Sequence, residues 1–504
     1  MDAISWLTIG LYLFVVCLIG WWAQARVSNV SDYFTGGSRI PWWLAGISHH
    51  MSGYSAVVFV AYAGVAYQFG VTVYFWWALS VAFGTAVGAY LFAPKWANLV
   101  LRRRYMSPLE FVCVRYNRPT QQLFGWIGAG LKVFGTGAKW AAIGSLVHFY
   151  TNVPEVYVIL LVGCVTLLYC TIGGLWADSL TGLWQFIVQL LAGVAVAVFT
   201  FMALTRHGPV LEVIHRLPPS HFDLLAGPYN GLFLAAYLLI NSLNYSGGGN
   251  WDLAQRFMST PSVTASRKAG LLSSALYAFW PIVLFFPMVV APILLPPLHN
   301  PQTAYAELSR IVLPSGMLGI VIASFLAHTM SFTASDANAI SAVVTRDILP
   351  PLLPESKRHL ADHVRTARTV TFVYAALSIL IAVESDRFGG VLALIVVWFE
   401  ALIGTIAVPL LFGLLPSFRR SGSAAAIASC IAGIISFVVV KYAIPQALAW
   451  VVATPVSTTV VTYIVWGIVF PSRSAKAEGF FRDLLAGSER EVFDHHKIGT
   501  TSTS

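Results

Sequence analysis

Apolar segments long enough to cross a membrane follow one another along almost the whole chain, separated by short polar stretches. An α-helix of about 20 residues crosses about 30 Å of hydrocarbon, so the pattern predicts an all-α polytopic membrane protein. Residues 1–470 then form a single transmembrane domain, and residues 471–504 form a tail. We predict about thirteen membrane-spanning helices, numbered as spans 1 to 13, over residues 4–25, 41–67, 72–97, 120–148, 154–172, 177–205, 229–248, 269–295, 314–341, 366–384, 389–415, 423–442 and 446–470.

Two of these spans are interrupted by small and polar residues. The segment "HHMSGYS" (49–55) lies in span 2, and "NYSGGGNWD" (244–252) lies at the end of span 7. Unwound backbone in hydrocarbon is tolerated only where it lines a cavity or binds a ligand, although small residues also serve for close helix packing. Because both breaks open a group of five spans, about 41–205 and 229–415, we predict a five-plus-five inverted repeat with a binding site at the midplane. Spans 1, 12 and 13 lie outside this repeat.

Composition and charge agree with a membrane location. Of the residues, 57% are hydrophobic and 10% are charged, and the mean hydropathy is +0.74. Most of the 30 lysines and arginines fall on one side if the N-terminus is outside, which places the tail in the cytoplasm. The net charge of +9 is then a signal of topology in a cell (plasma or inner) membrane, where lipid surrounds the chain. No nucleic-acid partner is expected, and the oligomeric state is not indicated.

Four segments resemble the successive signatures of the sodium/solute symporter family, over about residues 5–470. The resemblance in span 2 is to the sodium/sugar branch. It implies a LeuT-type fold and a secondary transporter, not an enzyme, that imports a small polar solute (a sugar, a sugar derivative or an organic acid) with sodium by alternating access. No organic cofactor is implied. The four segments are "SDYFTGGSRIPWWLAGIS" (31–48), "TIGGLWADSLTGLWQ" (171–185), "NWDLAQRFMST" (250–260) and "MSFTASDANAISAVVTRDI" (330–348).

Two alternatives stay open at this point. One is a transporter of the same fold that is coupled to protons or is uncoupled. The other is a polytopic membrane enzyme, which would need converging acid, base or metal ligands. The sequence contains no HExxH, P-loop, CxxC or GxSxG motif that would support such an enzyme.

The family's shared sodium site joins the unwound part of span 2 to span 9. Oxygen ligands suit a small hard cation. Phe332 stands where the family usually has a second hydroxyl, so Ser335 or Thr329 would have to supply another oxygen. The ligands implied by the resemblance are the backbone carbonyls of Met51, Tyr54 and His328 and the hydroxyl of Ser331.

A second departure from the family lies in span 6. The family commonly has an aspartate at the position of Gly182, and this chain has Asp178 one helical turn earlier on the same face. Asp178 either faces the ion path as a possible sodium ligand or lies at the inner interface of the membrane.

The sugar-binding positions of the sodium/sugar branch are largely stripped of polar groups in this chain. Thr136 alone keeps a compact polar group at a matched position, so the solute is held differently from galactose in that branch. The matched positions, which are candidates for solute binding, are Val57, Val58, Phe75, Thr136, Ser246, Gly247 and Tyr277.

Ionisable residues inside the membrane are functional candidates because each is costly unless it is paired or hydrated. Lys132 and Lys139 lie two turns apart on one face of span 4, about 10 Å along the axis, so both cannot easily reach opposite surfaces. If this face lines the cavity, the lysines favour an anionic solute, and Glu400 in span 11 is a candidate counter-ion. Of the adjacent His49 and His50, at most one faces the site; it either contacts the solute, titrates with protons, or is simply hydrogen-bonded in the bundle.

Overall fold

The computed structural model of the protein describes residues 1–53, 55–356, 358, 364–443, 448–472 and 474–485, and all regular structure in these ranges is helical. The side chains of Leu392, Glu400 and Leu485 are not part of this description. The α-helices are α1 (Ala3–Ala23), α2 (Val30–Thr35), α3 (Trp42–Met51), α4 (Ala63–Phe69), α5 (Ser80–Val87), α6 (Ala93–Arg103), α7 (Glu110–Arg115), α8 (Arg118–Thr151), α9 (Glu155–Thr205), α10 (Val210–Ile214), α11 (Gly231–Asn244), α12 (Trp251–Met258), α13 (Val263–Leu294), α14 (Ala304–Val312), α15 (Leu318–Val343), α16 (Leu349–Leu352), α17 (Val364–Val383), α18 (Gly390–Leu392), α19 (Ala401–Phe412), α20 (Ser423–Val438), α21 (Leu448–Val469) and α22 (Ala475–Leu485).

Wider π-helical turns extend or join several of these helices. They cover Val58–Tyr62, Tyr74–Leu79, Gly88–Phe92, Val344–Ile348, Ala393–Glu400 and Val439–Ala443. Short 3-10 turns occur at Gln24–Arg26, Gly36–Ser38, Pro219–Phe222, Pro301–Thr303, Ser385–Phe388 and Pro416–Phe418.

Eight helical segments of the described chain are long and apolar enough to cross a membrane. A ninth is formed if Ala393–Phe399 and Ala401–Phe412, which meet at an angle of 42°, count as one bent span. Other predicted spans are present as the long polar-faced α8 and as the half-helices on either side of the two breaks. The polytopic all-α architecture is thus confirmed, whereas the count of thirteen spans stays a prediction.

Predicted spans 5 and 6 are joined in α9, a helical segment of 51 residues. A straight helix of that length would measure about 77 Å, more than twice the thickness of the hydrocarbon. Gly174, which lies between the two predicted spans, interrupts it with φ +50° and ψ −141°. A Cβ atom at this position would lie 2.6 Å from the carbonyl oxygen of Tyr33, so the close approach of α2 also requires glycine here.

The helices around the two breaks form two packed sets. In the first set, α3 packs against α13, and α5 packs against both α11 and α13. In the second set, α9 packs against α8 and α15, and α17 packs against α8, α9 and α15. The short α12 lies against α3 and α13 of the first set and against α15 of the second. The two helix interruptions, in spans 2 and 7, therefore lie where the two sets meet. A binding site between two helix sets that move relative to each other would form there.

Candidate functional site

The break in span 2 begins where α3 ends at Met51, and its freed backbone groups are bound by side chains from other helices. The Tyr277 hydroxyl donates to the carbonyl oxygens of His49 (3.2 Å) and His50 (3.0 Å). The Tyr245 hydroxyl donates to the Gly53 carbonyl (3.2 Å), and the Ala56 amide donates to the Thr329 hydroxyl (3.2 Å). Such partners are what an unwound segment needs in a membrane, where water cannot replace them.

The break in span 7 lies between α11 and α12. Gly247 has φ +89°, and the Gly248 amide donates to the Leu243 carbonyl (3.0 Å). A helix resumes after the break, over Trp251–Met258. The prediction that span 7 ends at this break is therefore wrong, because a helical segment continues beyond it. The error arose because Asp252 and Arg256 make the resumed helix too polar to register as a membrane segment.

A small central cavity lies between the two breaks. Its volume is about 30 Å³, which is room for about one water molecule. Lys139 is the single charged side chain among the described residues that line it. The others come from both breaks and from the facing helices and include Gly53, Ser55, Val57, Val58, Tyr62, Trp77, Tyr245, Asn250, Phe332, Ile395 and Phe399.

Lys139 belongs to a buried cluster of four charges. Its Nζ lies 2.6 Å from Oδ2 of Asp336 in α15. Lys132, two turns earlier in α8, contacts Oδ1 of the same carboxylate and lies 3.3 Å from Oδ1 of Asp252 in α12. The Thr136 hydroxyl donates to Asp336 as well (3.1 Å). All four charged side chains are at most 1% exposed, so neither lysine reaches toward a membrane surface.

A second buried ion pair lies beside this cluster. Arg256 of α12 contacts the carboxylate of Asp178 in α9, and its Nη2 donates to the hydroxyls of Ser335 (2.5 Å) and Ser52 (3.2 Å). Together, the two groups place three cationic and three anionic side chains in the interior of the described structure. A buried charge is tolerated when it is paired and hydrogen-bonded, and the counts here balance.

Residues 33–433 match the sequence model of the sodium:solute symporter family. This chain belongs to that family. The symporter is therefore a secondary transporter that uses sodium as its coupling ion, and the enzyme alternative is excluded. The two curated relatives described below are each only 24% identical to this chain, so the family is assigned and the solute is not.

Two curated relatives show the degree of similarity. A sodium/glucose cotransporter of Vibrio parahaemolyticus is 24% identical over an alignment of 414 residues, covering 75% of this chain and 75% of the relative. A sodium/sialic acid symporter of Proteus mirabilis is 24% identical over 443 residues, covering 82% of this chain and 85% of the relative.

Solved structures agree on the fold. A substrate-bound, outward-open structure of a sodium-coupled sialic acid symporter superposes with a TM-score of 0.75 at 19% identity and covers 94% of this chain and 99% of that one. A nucleobase-cation-symport-1 transporter in a closed conformation gives a TM-score of 0.55 at 16% identity, covering 91% of this chain and 99% of that one. The LeuT-type fold expected from the sequence is confirmed.

The predicted sodium ligands fit a sodium ion chemically, and Met51, His328 and Ser331 are the described residues that would hold it. Met51 is the last residue of α3, and both α15 residues are buried. A Cβ built on Gly182 would lie 3.6 Å from the Ser331 hydroxyl and 4.0 Å from the Ser48 hydroxyl, so spans 2, 6 and 9 converge here on oxygen donors. Tyr54 lies outside the described residues.

The two oxygens that could compensate for Phe332 are engaged elsewhere. Thr329 accepts the Ala56 amide, and Ser335 contacts Arg256 and Asp178. Phe332 itself lies under Lys139, whose Nζ is 3.1 Å from the ring centroid. The Phe332 ring therefore interacts with the ammonium group of Lys139. The family resemblance instead implies a hydroxyl at this position, as a ligand of the sodium ion.

The remaining predicted site residues fall into groups. Val57 and Val58 line the cavity, whereas Thr136 lies behind Lys139 and supports Asp336. His49 and His50 pack against α13: Nδ1 of His49 is 2.8 Å from the Ser273 hydroxyl, and the His50 ring centroid is 4.7 Å from that of Tyr277. Ser246 and Gly247 do not line the cavity. The Ser246 hydroxyl donates to the Gly84 carbonyl of α5, the Trp96 indole of α6 donates to the Ser246 carbonyl, and a Cβ at Gly247 would meet Ala254. Phe75 contacts Tyr74.

Four site residues were not predicted. They are Asp336 and Asp252, which pair with the lysines, Asn250, which lies in the break in span 7, and Arg256, which follows this break. The rule that singled out the lysines, that a charge inside a membrane is a functional candidate, applies equally to Asp336 within predicted span 9. Glu400, the expected counter-ion, has a side chain outside the described part of the structure.

Exchanging Phe332 for serine tests the sodium site directly. We expect the sodium concentration that gives half-maximal thermal stabilisation of the detergent-purified protein to fall about fivefold, because a further hydroxyl ligand contributes about 1 kcal/mol of binding free energy. The sodium-free melting temperature should fall as well, since the lost ring leaves a cavity. Phe332→Ala leaves the same cavity without the ligand; equal sodium affinity in both variants would disprove the assignment.

Proposed function

We propose that this symporter imports a small solute bearing a carboxylate, such as a sugar acid or a simple organic acid, together with sodium. The observation that supports this most directly is Lys139, a buried cation that lines the central cavity between the two helix breaks. Its carboxylate partner, Asp336, is shared with Lys132, so Lys139 can turn toward a solute while Asp336 keeps a counter-charge. The valines at 57 and 58 suit a solute with an apolar portion.

The charge balance of the site supports an anionic solute with a cation. Three cationic and three anionic side chains already offset one another around the cavity. Bringing one anion alone into this interior would leave a buried net charge, which is costly at low dielectric constant. A carboxylate and one sodium ion entering together leave the charge unchanged, and this requirement couples their movements.

The proposed transport direction follows from the topology that the basic residues favour. With the N-terminus outside and the tail in the cytoplasm of an inner (plasma) membrane, α12 and the beginning of predicted span 6 lie on the inner side. The ion pairs of Asp178 with Arg256 and of Lys132 with Asp252 then close the inner path. An open vestibule of about 570 Å³, lined by ends of helices on the other side, would be the outer entrance. Rocking of one five-span repeat against the other would exchange the two openings.

Uptake into proteoliposomes with an inward sodium gradient tests the proposal. We expect sodium-driven uptake of a sugar acid or short carboxylate, and a loss of about 30- to 5000-fold in Lys139→Met, because truncating one partner of a buried charge pair costs about 2–5 kcal/mol. Lys268→Met is a matched control, since Lys268 is exposed at the start of α13.

Two results would contradict the proposal. Sodium-driven uptake of a neutral sugar that Lys139→Met leaves unchanged would assign a different solute class. Carboxylate uptake that follows a proton gradient and ignores sodium would favour the proton-coupled alternative, in which Phe332 has abolished the sodium site.

A further inference from the structure

Arg256 is a fully enclosed cation next to the predicted sodium ligands. It is fully buried in α12, and its guanidinium contacts a carboxylate and two hydroxyls from three other parts of the chain. These are Asp178 of α9, Ser335 of α15 and Ser52, which follows α3. The guanidinium therefore bridges both helix sets at the point where span 2 unwinds.

The groups around this guanidinium are those that a sodium ion would choose. Hydroxyl and carboxylate oxygens are hard ligands, and here they converge: the Ser52 and Ser335 hydroxyl oxygens are 2.8 Å apart, and the Ser335 hydroxyl donates to Asp178 Oδ2 at 2.8 Å. The Ser335 hydroxyl oxygen is also 2.9 Å from the carbonyl oxygen of Ser331. This oxygen cluster is thus continuous with the predicted sodium ligands one turn earlier on α15.

Asp178 has the remaining capacity that a cation site would need. Its Oδ2 receives Arg256 and Ser335, while Oδ1 is buried and has no hydrogen-bond partner among the described residues. The neighbouring Ser179 hydroxyl is likewise buried and unpartnered within the described chain. Without the guanidinium, the Asp178 carboxylate and the Ser52 and Ser335 hydroxyls would form a pocket with one full negative charge and two neutral oxygen ligands.

We infer that Arg256 is a built-in cation that fills a second cation position at Asp178, so that this symporter carries one mobile sodium ion beside the fixed guanidinium. The inference rests on the proposed function only for the statement that sodium moves with a solute. It assigns a role to Arg256 and Asp178: the arginine supplies permanently the charge that Asp178 and the two serines would otherwise take from solution, and the single mobile ion then balances a single solute carboxylate.

Removing the guanidinium should therefore create a sodium site. We expect Arg256→Ala to melt at a lower temperature than the unsubstituted protein in choline chloride, because Asp178 is left buried and unpaired. Sodium chloride at constant ionic strength should then raise its melting temperature by at least twice the rise seen in the unsubstituted protein, since an ion that binds the folded state stabilises it. The added response should disappear in Arg256→Ala combined with Asp178→Asn, and Arg256→Lys, which keeps the cation, should respond like the unsubstituted protein.

The result that overturns the inference is an equal sodium response with and without the guanidinium, or a response of the alanine variant that survives Asp178→Asn. Sodium itself is the probe, so the experiment does not require the solute to be known. Failure of the proposed function would be seen instead in the unsubstituted protein, as the absence of sodium-driven carboxylate uptake.

A second measurement decides the matter if Arg256→Ala does not fold. Equilibrium dialysis with radioactive sodium counts the ions bound by the unsubstituted, full-length protein in detergent. One sodium ion per chain at saturation supports the inference. Two ions per chain overturn it, because the position at Asp178 would then accept a mobile ion despite Arg256.

Discussion

Replacing Asp336 with asparagine should lower the free energy of unfolding by about 3–5 kcal/mol and abolish uptake. Asp336 is the carboxylate shared by Lys132 and Lys139, and both lysines are at most 1% exposed. In the variant, Lys132 keeps Asp252 at 3.3 Å, but no other carboxylate among the described residues contacts Lys139. An uncompensated charge would then be buried in the interior. Equilibrium unfolding in mixed micelles measures the stability, and proteoliposome uptake measures the activity.

A double substitution separates charge balance from transport in this first case. Asp336→Asn combined with Lys139→Met again leaves equal numbers of cations and anions, so most of the lost stability should return while uptake stays absent. Asp223→Asn is a matched control, because Asp223 is an exposed loop residue. If Asp336→Asn were as stable as the unsubstituted protein, the cluster would not be held together by this carboxylate.

The second large effect is expected from Gly53→Ala, at the break in span 2. A Cβ there would lie 1.8 Å from the Tyr277 hydroxyl oxygen and 2.8 Å from a ring carbon of Tyr245. Tyr277 cannot simply rotate away, because its hydroxyl is bonded to the carbonyls at the end of α3. We expect a loss of about 3 kcal/mol in stability, as in a strongly overpacked core, and a loss of sodium-dependent stabilisation, since the Met51 carbonyl would move.

Two companion variants make this prediction specific. Gly10→Ala in α1 introduces the same methyl group where nothing lies within 4 Å, and it should be neutral or slightly stabilising. Gly53→Ala combined with Tyr277→Phe removes the closest clash and should recover part of the stability, so that the two effects are not additive. Additive losses would show that Gly53 and Tyr277 act independently and that the tyrosine does not hold the break.

Much of the fold could be predicted from the sequence because it depends on local patterns. The length of the apolar segments predicted the helices, and the clusters of glycine and serine predicted both unwound segments. Each of these signals is contained within a single span of about 20 residues. Gly174 falls between predicted spans 5 and 6, at the observed interruption of α9. The extent of span 7 was wrong because α12 is polar, and its polar residues are there to contact other helices rather than lipid.

The partners within the site could not be read from local patterns. Lys132 and Asp336 are 204 positions apart, and Arg256 and Asp178 are 78 positions apart; which helices meet is decided by packing of the whole bundle. Lys132 and Lys139 were singled out because their separation made it difficult for both to reach a membrane surface, and both are buried. Asp178 was left between two interpretations, and only the position of Arg256 in space shows that it has a resident counter-ion.

The central cavity of about 30 Å³ is far smaller than any sugar acid or organic acid. The conformation described here is therefore closed around the site, and a solute can bind only when the two helix sets separate. The affinity measured in solution will then be weaker than the intrinsic affinity of the open site, by the fraction of molecules that are open. Selectivity in this symporter thus depends on two quantities. One is the set of contacts that a solute makes, and the other is the free energy needed to separate the two helix sets, which binding of the solute must offset.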